Sequence, residues 1–200
     1  MTQLAAGLRR RSQFAEAAAV FDRAFARLPE VRPSDWALLY ERAVALDRAG
    51  NWDRAERDLE RALQLAPEQP YVLNYLAYSW TERGSNRDRA RVMLERAATL
   101  RPEDGSIVDS LGWALLRTGD VAGGVRNLER AVELQPEDAT INGHLGDAYL
   151  AAGRPREAEF QWRRALSRNP EPDEERRIRA RLERLDAPSG LPTTTGSVAP

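Results

Sequence analysis

The chain repeats one phrase at a nearly fixed interval, and this recurrence constrains its fold more than any other feature. Pro67, Pro102, Pro136 and Pro170 are separated by 35, 34 and 34 residues. They close the similar segments RALQLAP, RAATLRP, RAVELQP and RALSRNP, in which an alanine always stands five residues before the proline. An earlier copy, FDRAFARLP, ends at Pro29. Self-similarity at such a period indicates stacked repeats that bury their apolar faces against one another.

The start of each copy carries a second shared pattern, in which apolar residues recur three and four positions apart. Leu111 and Leu115 show it in one copy, and Leu145 and Tyr149 show it in the next. This spacing places the residues on one face of an α-helix. A glycine then follows, where a left-handed residue commonly ends a helix. These glycines are Gly50, Gly84, Gly119 and Gly153. A second amphipathic helix runs from there to the proline, and no alternating segment predicts a strand.

The two patterns together closely resemble the tetratricopeptide repeat, whose unit reads W-x2-L-G-x2-Y, then A-x3-F, then P. The resemblance covers about residues 1–170 and implies an all-α fold, a right-handed superhelical α-solenoid of about five helix pairs. In this family the position of Gly112 and Gly146 is small because a neighbouring helix crosses close by. The implied repeats span about residues 1–31, 34–69, 70–104, 105–138 and 139–172.

The two ends of the array differ in their patterns. The segment from residue 173 to 186 places Ile178, Leu182 and Leu185 on one stripe with charges elsewhere, which predicts a capping helix. Residues 187–200 are rich in Pro, Gly, Ser and Thr, and we expect a disordered tail there. The first residues match a repeat only from its fourth position onward. We therefore expect a longer array upstream, or a start site placed too far downstream.

Composition argues against several classes of function. The 30 basic residues, all of them arginine, nearly balance the 31 acidic ones, so we expect no nucleic-acid partner. No apolar run is long enough to span a membrane. Cysteine is absent and His144 is the single histidine. A catalytic triad would have to use His144, which lies on a helix that the repeat already explains, and one histidine with scattered carboxylates makes a poor zinc site. We expect no enzyme activity, no cofactor and no metal.

The resemblance also implies a concave groove, lined by fixed positions of each repeat's first helix. Carried onto this sequence, those positions supply the candidate binding residues. They are Tyr40, Asp47, Arg48, Tyr71, Asn74, Tyr78, Asp109, Trp113, Arg117 and Asp147. Aromatic and arginine side chains are enriched at protein interfaces. One alternative stays open, in which Tyr78 and Trp113 pack against the next repeat and contact little solvent.

We expect from this resemblance a non-catalytic scaffold that holds a partner protein or peptide segment in its groove. The lysine-based clamp with which some family members bind C-terminal carboxylates is absent, because the chain has no lysine. The phrases LNYLAYSW, DSLGWALLRTGD and AEFQWRRAL are similar to C-terminal repeats of proteobacterial envelope proteins. Such a location would require an N-terminal signal, so the compartment stays unassigned. The alternative function is structural: self-association through the N-terminal face around Leu4 and Leu8.

Overall fold

The computed structural model describes residues 2–186, which form eleven α-helices and one short 3-10 helix, Pro33–Asp35, with no strand among them. The predicted all-α class is confirmed, and the helices pack in pairs along the chain. The helices are α1 (Thr2–Arg10), α2 (Phe14–Phe25), α3 (Trp36–Arg48), α4 (Trp52–Leu65), α5 (Pro70–Arg83), α6 (Arg87–Leu100), α7 (Gly105–Arg117), α8 (Val121–Leu134), α9 (Ala139–Ala151), α10 (Pro155–Leu166) and α11 (Pro172–Asp186). The expected tail at 187–200 lies outside the described residues.

The turns within the last four helix pairs are built on the glycines that the sequence places there, whereas Ser12, with φ 58°, takes that place between α1 and α2. Gly50, Gly84, Gly119 and Gly153 have φ values of 80°, 68°, 94° and 73°, in the left-handed region that a residue with a Cβ rarely adopts. At the end of α7, the Gly119 and Asp120 amides donate to the carbonyls of Leu116 and Leu115. These bonds satisfy carbonyls that the helix end leaves unpaired.

Glycine inside the helices has a different role, which is close packing between the two helices of a repeat. A Cβ on Gly146 would lie 2.4 Å from Trp162 Cδ1, and one on Gly112 would lie 2.8 Å from Leu128 Cγ. Gly124 packs back against α7, where a Cβ would lie 3.1 Å from the Gly112 carbonyl oxygen. Gly124 therefore belongs to a tight helix crossing, whereas a Cβ on Gly123 would meet the Asp120 carboxylate that caps the same helix. This packing offsets the helix propensity that glycine lacks, which is about 1 kcal/mol per residue.

The core follows the array as a series of clusters of buried side chains, of which two are large. One cluster of buried side chains extends from Ala17 in α2 to Leu115 in α7, and a second extends from Val125 in α8 to Leu182 in α11. Helix α11 buries Ile178 and Leu182 there, and its outward side is charged. It covers the apolar side of the last helix pair, as a terminal cap does. No helix within residues 2–186 has the length and apolar character to cross a membrane.

Candidate protein-binding groove

A pocket of about 240 Å³ opens where α5, α7 and the start of α9 lie side by side. It brings together three of the predicted residues, Asn74, Tyr78 and Asp109. We call it the groove pocket. The residues that line it are Asn74, Tyr75, Tyr78, Ser106, Asp109, Ser110, Asp138, Thr140 and Ile141. Three consecutive first helices contribute to it, so the pocket exists only because the repeats stack.

The groove pocket contains an amide group without a hydrogen-bond partner. Asn74 is half-buried, and its Oδ1 is fully buried with no donor among the described residues. Tyr78 follows one helical turn later and is also half-buried. Burial raises the pKa of the Tyr78 phenol, and the carboxylates of Glu82 and Asp109 raise it further, while Arg177 opposes them. The phenol therefore stays neutral and is available as a hydrogen-bonding group.

Tyr40 and Asp47, from α3, are joined to α5 by one side chain that the sequence analysis did not select. The Tyr75 ring meets the Tyr40 ring edge to face, with centroids 5.9 Å apart. The Tyr75 hydroxyl donates to Asp47 Oδ2 at 2.8 Å, and Arg83 donates to Asp47 Oδ1 at 2.6 Å. Burial and the Asp47 carboxylate raise the pKa of Tyr75. Asp47 thus connects neighbouring repeats, and its oxygens are already hydrogen-bonded.

Asp109 and Trp113 are buried, being 5% exposed each, and both contact His144 of the next first helix. His144 Nδ1 lies 3.0 Å from each carboxylate oxygen of Asp109. Its ring stacks on the Trp113 indole at 4.1 Å between centroids. The indole N–H donates to Glu82 Oε1 at 2.6 Å. The structure thus shows the alternative left open for Trp113, which packs against the next repeat and exposes little surface.

Burial and the neighbouring carboxylates shift the pKa of His144. Burial on its own would lower the pKa of the imidazole, but the charge and hydrogen bond of Asp109 raise it, and Asp147 and Glu174 add to that effect. The net pKa is raised above the ordinary value. The imidazolium is therefore favoured, and it forms an ion pair with Asp109 that joins α7 to α9.

Asp147 and the other groove positions of α9 lie against α11. Trp162 donates its indole N–H to Asp147 Oδ1 at 3.0 Å, and Arg181 lies 2.8 Å from Oδ2. Burial raises the pKa of Asp147, and Arg181 partly opposes this. Thr140 donates to Glu174 at 2.9 Å, again on α11. The capping helix therefore covers the last repeat's part of the predicted groove.

Three predicted residues remain at the surface outside the groove pocket. Tyr71 is 43% exposed, one turn before Asn74 on the same side of α5. Arg48 and Arg117 are exposed, and each guanidinium lies over an aromatic ring, at 5.0 Å from Phe14 and 5.6 Å from Trp113. Tyr71, Asn74 and Tyr78 therefore form one stripe along α5, at helical spacings of three and four residues.

The sequence analysis missed Tyr75, Ser110 and His144, which occupy one equivalent position of three successive repeats. They are 35 and 34 residues apart, and the first two directly follow the predicted groove residues Asn74 and Asp109. Tyr75 reaches back to α3 and His144 reaches back to α7. Aligning the repeats and asking which polar residues replace one another would have identified them. Within residues 2–186, no cluster of His, Asp and Glu has a metal-binding arrangement.

Comparison with known proteins agrees with this architecture. The tetratricopeptide repeat family model matches residues 2–70, 40–105, 110–174 and 145–185. No curated protein gives a significant sequence match. A thermophilic TPR protein of Thermus thermophilus, TTC0263, is similar in structure, with a TM-score of 0.74, 21% identity, and coverage of 90% of this chain and 96% of that chain. MamA of Desulfovibrio magneticus RS-1 is also similar in structure, with a TM-score of 0.67, 21% identity, and coverage of 84% of this chain and 92% of that chain.

At this level of identity the structural likenesses show a shared fold alone. The family model, in contrast, matches most of the chain in overlapping segments that follow the repeat period. Because the helix pairs, the turn glycines and the period all agree with that match, the chain belongs to the tetratricopeptide repeat family.

Proposed function

We propose that this protein is a non-catalytic scaffold that binds an extended segment of a partner polypeptide along the α5 stripe of Tyr71, Asn74 and Tyr78. The family generally mediates protein–protein interaction, which supports a protein partner. The observation that carries the proposal is Asn74, whose side-chain carbonyl oxygen is buried without a donor beside an open pocket. A buried acceptor left unpaired costs about 1–3 kcal/mol, and a bound backbone can supply the missing partner after a small rotation of the amide.

The neighbouring aromatic side chains favour the same occupant. Tyr71 and Tyr78 flank Asn74 by three and four residues, so all three point to one side of α5. Tyrosine gives a large contact area with few rotatable bonds, and it is enriched at protein interfaces. The walls of the pocket are held in place by the Asp109–His144 pair behind it. The segment would therefore bind to a surface that is already formed, which lowers the entropic cost of association.

The experiment begins with a library of random peptides of about twelve residues, long enough to follow an extended groove, displayed on phage and selected against the wild-type protein. A recovered peptide is then synthesised, and its Kd is measured for wild type and for the single variants Asn74→Ala and Tyr78→Ala. We expect each substitution to weaken binding about tenfold, because each removes a central contact. Unchanged Kd values for both variants would contradict the proposal.

A matched control separates loss of the groove from general effects of truncation. Val92 on α6 and Phe160 on α10 are exposed apolar residues outside the groove pocket, at 64% and 63% exposure. The variants Val92→Ala and Phe160→Ala should bind the peptide as wild type does. Urea unfolding of all four variants verifies that each remains folded under the conditions of the binding assay.

A second function, self-association through the N-terminal repeat, is favoured by one observation. Leu4 of α1 is 58% exposed, whereas Ala5 and Phe21 are buried in a separate small cluster between α1 and α2. A second copy of the chain could cover Leu4 and its surroundings. Sedimentation over a range of concentrations tests this: a dimer that disappears in Leu4→Asp supports it, and a monomer at all concentrations excludes it.

A further inference from the structure

The lining of the groove pocket presents more hydrogen-bond acceptors than donors to a bound group. Its lining contains two carboxylates, Asp109 and Asp138, and no arginine or histidine. Asp109 is paired with His144 behind the pocket, so the negative charge that faces an incoming group is mainly that of Asp138. The chemistry of the lining therefore limits which side chains of a bound segment can enter the pocket.

Four of the five hydroxyl groups of the lining add to this imbalance, because their hydrogens are already donated within the protein, and only the Tyr78 phenol keeps its hydrogen for a bound group. Four such bonds are present: Tyr75 to Asp47 at 2.8 Å, Ser106 to Gln135 at 3.0 Å, Ser110 to the Ser106 carbonyl at 2.9 Å, and Thr140 to Glu174 at 2.9 Å. A hydroxyl that has donated its hydrogen still accepts through its lone pairs. An incoming group consequently meets acceptors on α5, α7 and α9 together.

The Asp138 carboxylate lies at the rim of the groove pocket, where a cation can approach it. Asp138 is exposed, and its Oδ1 accepts the Ile141 amide at 3.0 Å as the cap of α9. The deeper Asp109 is paired with His144, and the Glu174 carboxylate accepts the Thr140 hydroxyl beside the pocket. Arg177 on α11 is a positive charge in the neighbourhood, and its Nη2 lies 3.9 Å from Glu174 Oε1.

We propose that the groove pocket takes a lysine or arginine side chain of the bound segment, with the cation near Asp138 and its stem against Tyr75 and Tyr78. This inference rests on the proposed function, and it adds the chemical class of the partner. Lys and Arg supply several donors and no acceptor, which complements this lining. Tyrosine rings also attract cations through their faces. An acidic or phosphorylated segment would meet like charge instead.

The test uses peptides recovered from the random library. We expect lysine or arginine to be enriched at one position, and replacement of that residue by norleucine in the synthetic peptide should weaken binding about tenfold. On the protein side, Asp138→Asn should weaken binding about fivefold at low salt, and this difference should shrink as salt screens the charge. Asparagine still caps the helix, so the fold is retained. The matched control, Asp53→Asn, removes an equal charge from α4 and should have no effect.

Two outcomes overturn the inference, and they differ in what they say about the proposed function. If the peptides depend on Asn74 but tolerate norleucine and Asp138→Asn without loss, the groove binds a segment and the basic class is wrong. If binding ignores Asn74 and Tyr78 as well, the proposed function falls together with the inference. Enrichment of aspartate or glutamate at the selected position would also overturn it.

Discussion

His144 Nδ1 lies 3.0 Å from both carboxylate oxygens of Asp109, and this buried ion pair joins α9 to α7 directly behind the groove pocket. The two side chains are 35 residues apart and come from successive repeats. Trp113 covers the imidazole by stacking on it. The pair therefore couples the position of one repeat to the next through a group that changes charge within an accessible pH range.

The first prediction concerns pH. Because the folded-state pKa of His144 is raised above its unfolded value of about 6.5, its contribution to stability is fully present below that pH. The contribution is lost as the pH rises through the folded-state pKa. The free energy of unfolding of wild type relative to His144→Gln should thus fall above about pH 6.5, by at most about 1.4 kcal/mol per pH unit. Urea unfolding at several pH values measures it.

Comparison with His144→Gln removes the contributions of titratable groups far from residue 144, because both proteins contain them, and it retains the effect of His144 on its neighbours Asp109 and Asp147. As a control, Asp109→Asn removes the partner and should flatten the dependence on pH. A difference between wild type and His144→Gln that stays constant from about pH 5 to about pH 9, a range that spans the ordinary titration of histidine, would show that His144 does not titrate as part of an ion pair.

The second prediction concerns Gly146 of α9 and Trp162 of α10, which pack closely against each other. A Cβ on Gly146 would lie 2.4 Å from Trp162, so Gly146→Ala must displace the indole and should cost about 1–3 kcal/mol of unfolding free energy. Two earlier copies place Ala43 with Leu59 and Ala77 with Leu94 at these positions, whereas the immediately preceding copy pairs Gly112 with Leu128. Leucine is smaller than tryptophan, and in the two earlier copies it is accommodated beside an alanine methyl group.

The double variant Gly146→Ala, Trp162→Leu therefore tests whether these residues compensate each other. Its loss of stability should be smaller than the sum of the two single losses, by about 1–2 kcal/mol in a double-mutant cycle. The urea midpoints of all four proteins, analysed with one common slope of unfolding free energy against urea concentration, give these differences in stability. Simple additivity would mean that the backbone moves to accept the methyl group and that the indole does not set the size of residue 146.

The fold was predictable because its signals are local and are repeated several times. Gly119 and Gly153 mark turns by their own backbone conformation, and the apolar spacing around Leu111 and Leu145 defines helix faces without reference to distant residues. Each further copy tests the same interpretation. The class of fold thus followed from the sequence, although the ranges of individual repeats stay a prediction.

The groove was less predictable, because a fixed list of positions ignores what the next repeat contributes. Asp109 and Trp113 occupy groove positions, but His144 covers both of them, and Arg181 covers Asp147 in the same manner. The identity of one side chain in the following helix decides which groove positions remain accessible. That contact depends on three-dimensional packing, which the position of a residue within its own repeat does not reveal.

The third prediction follows from this difference in burial. Trp113 is 5% exposed and holds His144, so Trp113→Ala should lower the unfolding free energy by about 3–5 kcal/mol. Tyr71 is 43% exposed, and Tyr71→Ala should change the unfolding free energy by about 0.5 kcal/mol or less. Chemical denaturation of both variants measures this. Equal stability of the two variants would mean that the Trp113 site accommodates the truncation, and loss of binding in Trp113→Ala could then be attributed to the groove.

The fourth prediction concerns Arg42, which joins three helices near the N-terminal end. Its Nε and Nη2 each lie 2.7 Å from an oxygen of Asp58, and its Nη1 lies 3.0 Å from Asp22. Its guanidinium also lies 4.2 Å from the centre of the Phe25 ring. A lysine can keep the positive charge but cannot reproduce the two parallel bonds to Asp58, because its donors sit on a single nitrogen.

Arg42→Lys should therefore lower the unfolding free energy by about 1–3 kcal/mol, although the charge is unchanged. The matched control is Arg91→Lys on α6, whose exposed guanidinium pairs with Glu95 one turn away, and which should change stability by about 0.5 kcal/mol or less. Urea unfolding at high salt sharpens the comparison, since salt screens an exposed pair and leaves a geometric loss in place. If Arg42→Lys were as mild as the control, the positive charge at residue 42, and not its paired hydrogen-bond geometry, would account for its contribution to stability.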